Sequence, residues 1–167
     1  MTPTARIYWD SCVIIDYIQK KAGRIATLQE IIDEARAGDI QLVSSALSRA
    51  EVYKLDKEDP LSSQEEKHID SFFENTYIHI RDLDRFVAKH AADIARTHSL
   101  LPPDAIHIAT AIKYKCTALQ TYDGSGRRSR RKHLLTHNGT IGTPPLTIEE
   151  PRTYTKMAEE TRRLPGF

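Results

Sequence analysis

Cysteine is nearly absent: Cys12 and Cys116 are the two in 167 residues, and no CxxC pair exists. A disulfide framework is therefore not expected, and both thiols read as small buried residues suited to a reducing compartment. Long hydrophobic runs are absent too. No apolar stretch reaches the roughly 20 residues that a membrane-spanning helix needs, and no basic-then-apolar leader is seen, so the expectation is a cytoplasmic protein with no membrane partner. The phosphate loops G-x-x-x-x-G-K-[ST] and G-x-G-x-x-G do not occur, nor does the nucleophile elbow G-x-S-x-G. P-loop nucleotide binding, dinucleotide binding and that class of hydrolase drop out with them. Net charge is +1, so no excess of one sign points to a partner.

What remains is an ordinary globular composition, 40% hydrophobic and 28% charged, at a length that suits one domain with its own core. "RIYW" (6–9) reads as a short buried strand, followed by a helical stretch over 11–20. "RIATLQEIIDEARAG" (24–38) puts Ile25, Leu28, Ile31, Ile32 and Ala35 on one helical face and ends at Gly38, a good C-terminal stop. "IQLVSS" (40–45) is a second strand whose Ser45 caps the helix "ALSRAEVYKL". Ser63 and Glu66 stand at capping-box spacing at the head of "SSQEEKHIDSFFEN". "YIHI" (77–80) is a strand and "LDRFVAKHAADIARTHS" (83–99) a helix. Pro102 and Pro103 open the next helix, where a missing N–H costs nothing. Ala105, Ile108, Ala109 and Ile112 form its buried stripe. "CTALQTY" (116–122) and "PLTI" (145–148) complete the strands. Strands separated by helices imply a parallel sheet covered on both faces. Residues 1–149 are taken as the domain, and the polar stretch 150–167 as a tail.

Four acids fall at related places in this order. Asp10 ends the first strand, Glu51 lies about two turns along the helix leaving the second, Asp104 sits in the first turn of its helix, and Asp123 ends "TALQTYD". Open parallel sheets bind ligands outside the carboxyl ends of their strands, where the strand order reverses. Carboxylates sharing one pocket raise each other's pKa, and a hard divalent cation such as Mg²⁺ or Mn²⁺ offsets that. Metal-assisted phosphodiester cleavage follows as chemistry. Each acid also has an ordinary reading. Asp10 suits a strand-end turn, Asp104 a helix N-terminus, Glu51 a solvated helix face, and Asp123 the turn "YDGSG". His107 reads as a structural or surface histidine. Asp16 falls on a different helical face and is left out, while Ser44, Ser45 and Ser48 read as caps and surface hydroxyls. Tyr8 and Trp9 read as core. His133 and His137 have i, i+4 spacing, but no cysteine pair or HExxH glutamate accompanies them, which argues against zinc.

At these residues the sequence resembles the PIN-domain nucleases, particularly the bacterial VapC-type toxin ribonucleases. The matching stretches are "YWDSCVIIDYI", "VSSALSRAEVYKL" and "LPPDAIHIATAIKYKCTALQTYD", in family order from about residue 6 to 123. The resemblance implies a three-layer α/β/α domain with a central parallel sheet and a Mg²⁺- or Mn²⁺-dependent endoribonuclease. Asp10, Glu51, Asp104 and Asp123 match the family's catalytic, metal-binding acids. Asp10 and Asp104 are expected as direct ligands, with Glu51 and Asp123 direct or through water. Ser11 and Thr121 match hydroxyls that help hold such a site. Cleavage by water implies a 5′-phosphate and a 3′-hydroxyl. Beyond an RNA substrate, the resemblance implies an antitoxin that inserts a basic side chain near the carboxylates, and homodimerisation. The chain departs from the common pattern just past Asp123, where "DGSGRRSRR" replaces a further acid.

Five of the seven residues in "RRSRRKH" (127–133) are basic. Arg127, Arg128, Arg130, Arg131 and Lys132 are candidates to grip an RNA backbone, with a solvated loop as the ordinary alternative. No aromatic residue interleaves with them, so base stacking is not indicated. The competing function is a non-catalytic PIN-like scaffold that binds RNA or protein through this loop.

Overall fold

The computed structural model describes residues 4–125 and 133–163. The candidate RNA-binding residues Arg127, Arg128, Arg130, Arg131 and Lys132 lie outside the described residues. Five strands form one sheet: β1 (Ala5–Trp9), β2 (Ile40–Ser45), β3 (Ile78–Arg81), β4 (Ala118–Gln120) and β5 (Thr147–Glu149). Their order is β3-β2-β1-β4-β5, and every pairing is parallel. The helices are α1 (Ser11–Ile18), α2 (Ile25–Ala37), α3 (Ala46–Glu51), α4 (Ser63–Glu74), α5 (Arg85–His98), α6 (Pro102–Lys113) and α7 (Tyr154–Arg163).

Side chains alternate across a strand, and β1 feeds two cores. Ile7 and Trp9 pack with Leu28, Ile31, Ile32 and Phe72 from α2 and α4, whereas Tyr8 packs with Ile94, Ile108 and Leu119 on the opposite side. This is the three-layer α/β/α arrangement that the sequence led one to expect. The order reverses at β1, whose neighbours β2 and β4 lead outward in opposite directions. The carboxyl ends of β1 and β4 therefore frame the crevice where such sheets bind ligands.

Several element ends move. Helix α2 stops at Gly38, which takes φ +83°, as read. The capping box is Ser62 with Glu65, one residue earlier than the Ser63–Glu66 pair. The Ser62 hydroxyl accepts from Glu65 N and the Ser62 N–H donates to Glu65 Oε2 at 2.7 Å. Helix α3 ends at Glu51 because Val52 leaves helical geometry (φ −82°, ψ 52°). In α5, Asp84 is the N-cap, so Leu83 precedes the helix; Leu83 and Phe86 are exposed while Val87, Ala91 and Ile94 carry the packing. Helix α6 is covered around most of its circumference, with His107, Thr110 and Ala111 buried besides Ala105, Ile108 and Ala109. The stretch read as a tail contributes α7, which lays Met157 on the first core. The N–H groups of Tyr154 and Thr155 at its start, which have no intrahelical partner, donate to the Glu34 carboxylate at 2.8 and 3.1 Å.

Candidate active site

Asp10 leaves β1 in extended geometry and becomes the N-cap of α1, accepting from Val13 N at 3.3 Å. The Cys12 thiol donates to the same oxygen, Oδ1, at 2.9 Å, and the buried Thr121 hydroxyl donates to Oδ2 at 2.5 Å. A carboxylate has roughly four acceptor positions, and the three donors named leave one for a ligand. Burial pushes the Asp10 pKa up; the His107 ring, Cys12, Thr121 and the Val13 N–H pull against it without cancelling it. A group in that condition gains from a cation.

Glu51, the last residue of α3, reaches across to α6. Its Oε2 lies 2.8 Å from His107 Nε2, and it also bonds the Ser11 hydroxyl. Burial raises the Glu51 pKa, but the hydrogen bond and charge of His107, with Ser11, outweigh it and the net direction is down. For His107, burial pushes the pKa down, and the bond and charge of Glu51 with the charges of Asp10 and Asp104 reverse that, so the net direction is up. The two partners agree. Asp104, half-buried in the first turn of α6, thus shares one electrostatic neighbourhood with Asp10 and Glu51, centred on a buried imidazole.

Asp123 behaves differently. Thr121 ties it to Asp10, since Thr121 Oγ1 accepts from Asp123 N at 2.9 Å. Its carboxylate, however, turns to the far end of the loop: Oδ1 meets His133 Nδ1 at 2.8 Å and Oδ2 accepts from Leu134 N at 2.9 Å. Asp123 O also accepts from Leu135 N. Gly124 takes φ +104° here, and a Cβ on it would stand 2.8 Å from His133 Cβ, so the close return of the chain requires glycine. Between Thr121 and Asp123, the Tyr122 ring lies under the Arg24 guanidinium at 3.7 Å, and Arg24 is ion-paired to the buried Asp16. Asp16 is thus structural.

Among the described residues, no three His, Cys, Asp or Glu side chains stand already gathered as a metal cage. The donor chemistry is nonetheless that of a hard cation: carboxylates and hydroxyls, with burial and the nearby Asp10 raising the Cys12 pKa so that this thiol stays protonated. Mg²⁺ commonly binds through one or two carboxylates and keeps several waters, which requires no cage.

A family model for the PIN domain matches residues 7–132. The chain belongs to the PIN-domain family. No curated protein matches it. Among solved structures, this PIN domain is similar to VapC20 of Mycobacterium tuberculosis, a sarcin–ricin-loop-cleaving toxin. The TM-score is 0.58 at 14% identity over 75% of this chain and 99% of that one. It is also similar to VapBC2 of Rickettsia felis, bound to a promoter DNA fragment. Here the TM-score is 0.54 at 14% identity, over 87% and 98% of the two chains. A toxin–antitoxin complex from Klebsiella pneumoniae gives 0.52 at 18% identity, over 71% and 88%. At these identities the likeness is one of fold. Among the described residues no helix is long and apolar enough to cross a membrane.

Sequence reading named the four acids, Ser11 and Thr121 as candidates, took His107 for a structural or surface histidine, and took Ser44 and Ser48 for caps or surface hydroxyls. Both serines are buried. Ser44 Oγ contacts the Trp9 carbonyl at 2.7 Å and Ser48 Oγ at 2.8 Å. The sequence offered for His107 only its place, three residues past Asp104 in the same helix.

Proposed function

We propose that this PIN domain is a divalent-metal-dependent endoribonuclease, the toxin of a type II toxin–antitoxin pair. The observation that supports it most is that Asp10, Glu51 and Asp104, from three separate elements, act on one buried histidine at the carboxyl edge of β1, where the sheet order reverses. Mg²⁺ or Mn²⁺ would be held by Asp10 and Asp104, with Glu51 and Asp123 direct or through water. When bound, the cation would polarise a phosphoryl oxygen and lower the pKa of a nearby water. Thr121, Cys12 and Val13 N fix the orientation of Asp10, and Ser11 with His107 fixes that of Glu51. Hydrolysis would leave a 5′-phosphate and a 3′-hydroxyl. Arg127, Arg128, Arg130, Arg131 and Lys132, following Asp123 in the chain, would grip the RNA backbone. An antitoxin would supply a basic side chain to the carboxylates, consistent with similar structures that are toxin–antitoxin complexes. Homodimerisation and a cytoplasmic location belong to the same reading.

The test is cleavage of a mixed RNA substrate by purified protein with Mn²⁺, repeated with excess EDTA and with Asp10→Asn and Asp104→Asn. Each acid substitution is expected to lower turnover by more than about a hundredfold, beyond the effect typical of an outer-sphere partner. Wild type that binds no Mn²⁺ and leaves RNA intact overturns the reading. RNA binding that ignores EDTA and both substitutions, yet vanishes when residues 127–132 are neutralised, would establish the non-catalytic scaffold instead.

A further inference from the structure

His107 is 2% exposed and lies between two partners on different elements. Its Nδ1 is 2.7 Å from the Tyr8 hydroxyl on β1, and its Nε2 is 2.8 Å from Glu51 Oε2 on α3. Tyr8 is in turn fully buried, beside the hydrogen-bonded pair Ser44 and Ser48, whose hydroxyls act on its phenol. The hydrogen-bonded chain Tyr8–His107–Glu51 therefore joins β1, α6 and α3. A buried polar group left without its partner is costly, and both nitrogens of the buried His107 ring have one.

The proton positions follow from chemistry. Opposite an ionised carboxylate, Nε2 must carry hydrogen, because two lone pairs facing at this distance repel. The Tyr8 hydroxyl then donates to Nδ1 of a neutral ring or accepts from Nδ1–H of a charged one. The Nε2–H bond to Glu51 survives in both states.

We propose that His107 is a positioning residue: held by Tyr8, it locks the Glu51 carboxylate at the rim of the site and sets its contribution to divalent-cation binding. Glu51 ends a helix of only six residues and is followed at once by non-helical backbone, so α3 alone fixes it poorly. Its side chain is nevertheless held from α6, where His107 Nε2 lies 2.8 Å from Oε2. The inference rests on the nuclease reading for what Glu51 does, but the lock itself is a separate claim.

The experiment uses full-length protein and two readouts. In EDTA, nitrogen-correlated NMR of the His107 ring is expected to show hydrogen on Nε2, with a resonance that moves in Glu51→Gln and in Tyr8→Phe. An Nε2 without hydrogen, or a ring signal indifferent to Glu51→Gln, overturns the lock whatever the protein's activity. With Mn²⁺, binding isotherms are compared for wild type, His107→Leu, His107→Gln, Glu51→Gln and the double variant His107→Leu/Glu51→Gln. His107→Leu should weaken Mn²⁺ by about ten- to a hundredfold, the range for outer-sphere partners. The double variant should be no weaker than Glu51→Gln alone, and His107→Gln, which keeps an N–H donor, should recover most of the loss. Additive losses, or His107→Leu within twofold of wild type, overturn the proposal. If His107→Leu does not fold, Tyr8→Phe with His107→Gln carries the comparison. Wild type that shows the ring signal but binds no Mn²⁺ upholds the lock, overturns its role in cation binding, and counts against the nuclease reading.

Discussion

Thr121 shows how much one hydroxyl carries. It donates to the buried Asp10 carboxylate and accepts from the Asp123 N–H, joining the ends of β1 and β4. Valine matches its shape and removes both bonds. Hydrogen bonds to charged groups are worth roughly 1.5–3 kcal/mol, so Thr121→Val should lower unfolding free energy by about that much in urea titration, and Thr121→Ser should restore most of it. A Val variant as stable as wild type would mean that Asp10 is not held through this contact. Asp10 could be placed from the sequence because it directly follows a hydrophobic strand, and the structure puts it at the end of β1 as the N-cap of α1. His107 could not be, since a histidine three residues along a helix looks the same on paper whether its neighbours cover it or not. Its hydrogen-bond partners, Tyr8 on β1 and Glu51 on α3, lie 99 and 56 residues away in the chain, which no local spacing encodes.

The capping box of α4 gives an element whose stability answers to pH. Lys57 and the Ser62 N–H bond the Glu65 carboxylate and draw its pKa down from 4.5 to about 2, with the Ser62 hydroxyl and the Lys57 charge assisting. The folded value lies below the unfolded one, so this contribution is complete above about pH 4.5 and is lost as pH falls toward 2. The melting temperature of wild type should therefore fall over that window more steeply than that of Glu65→Gln, with the two curves flattening relative to each other above pH 5. Parallel curves throughout would show that the box does not titrate. The register of this box was ambiguous in the sequence: "SSQEE" offers Ser62–Glu65 and Ser63–Glu66 at identical spacing, and the extended geometry of Ser62 decides between them. Helix α7 was hidden for a different reason. Met157 is its only buried residue, too little for a stripe, and its start is satisfied by Glu34, 120 residues away in the chain.

For the whole molecule, the sheet order puts the carboxyl ends of β1 and β4 beside each other, so a ligand bound there couples both halves of the fold. A ligand at a hundred times its dissociation constant stabilises the native state by about 2.7 kcal/mol. Saturating Mn²⁺ should raise the melting temperature of wild type accordingly and leave an Asp10→Asn/Asp104→Asn double variant unmoved; an equal rise in both would place the ion elsewhere. The architecture was readable from alternating strands and helices, while the pairing order was not, because it follows from which faces bury one another. The grip of Asp123 on His133, Leu134 and Leu135 has a wider meaning. The carboxylate and carbonyl of Asp123 thus hold His133, Leu134 and Leu135 against the end of β4, so positions ten to twelve residues apart in the chain meet at one side of the sheet. On the proposed nuclease reading, exchanging Arg127, Arg128, Arg130, Arg131 and Lys132 for serine should flatten the salt dependence of RNA affinity, read from binding isotherms at several salt concentrations; an unchanged slope would remove the grip from these residues. On that reading, RNA affinity and RNA cleavage answer to separate substitutions, the first to the basic run and the second to the acids.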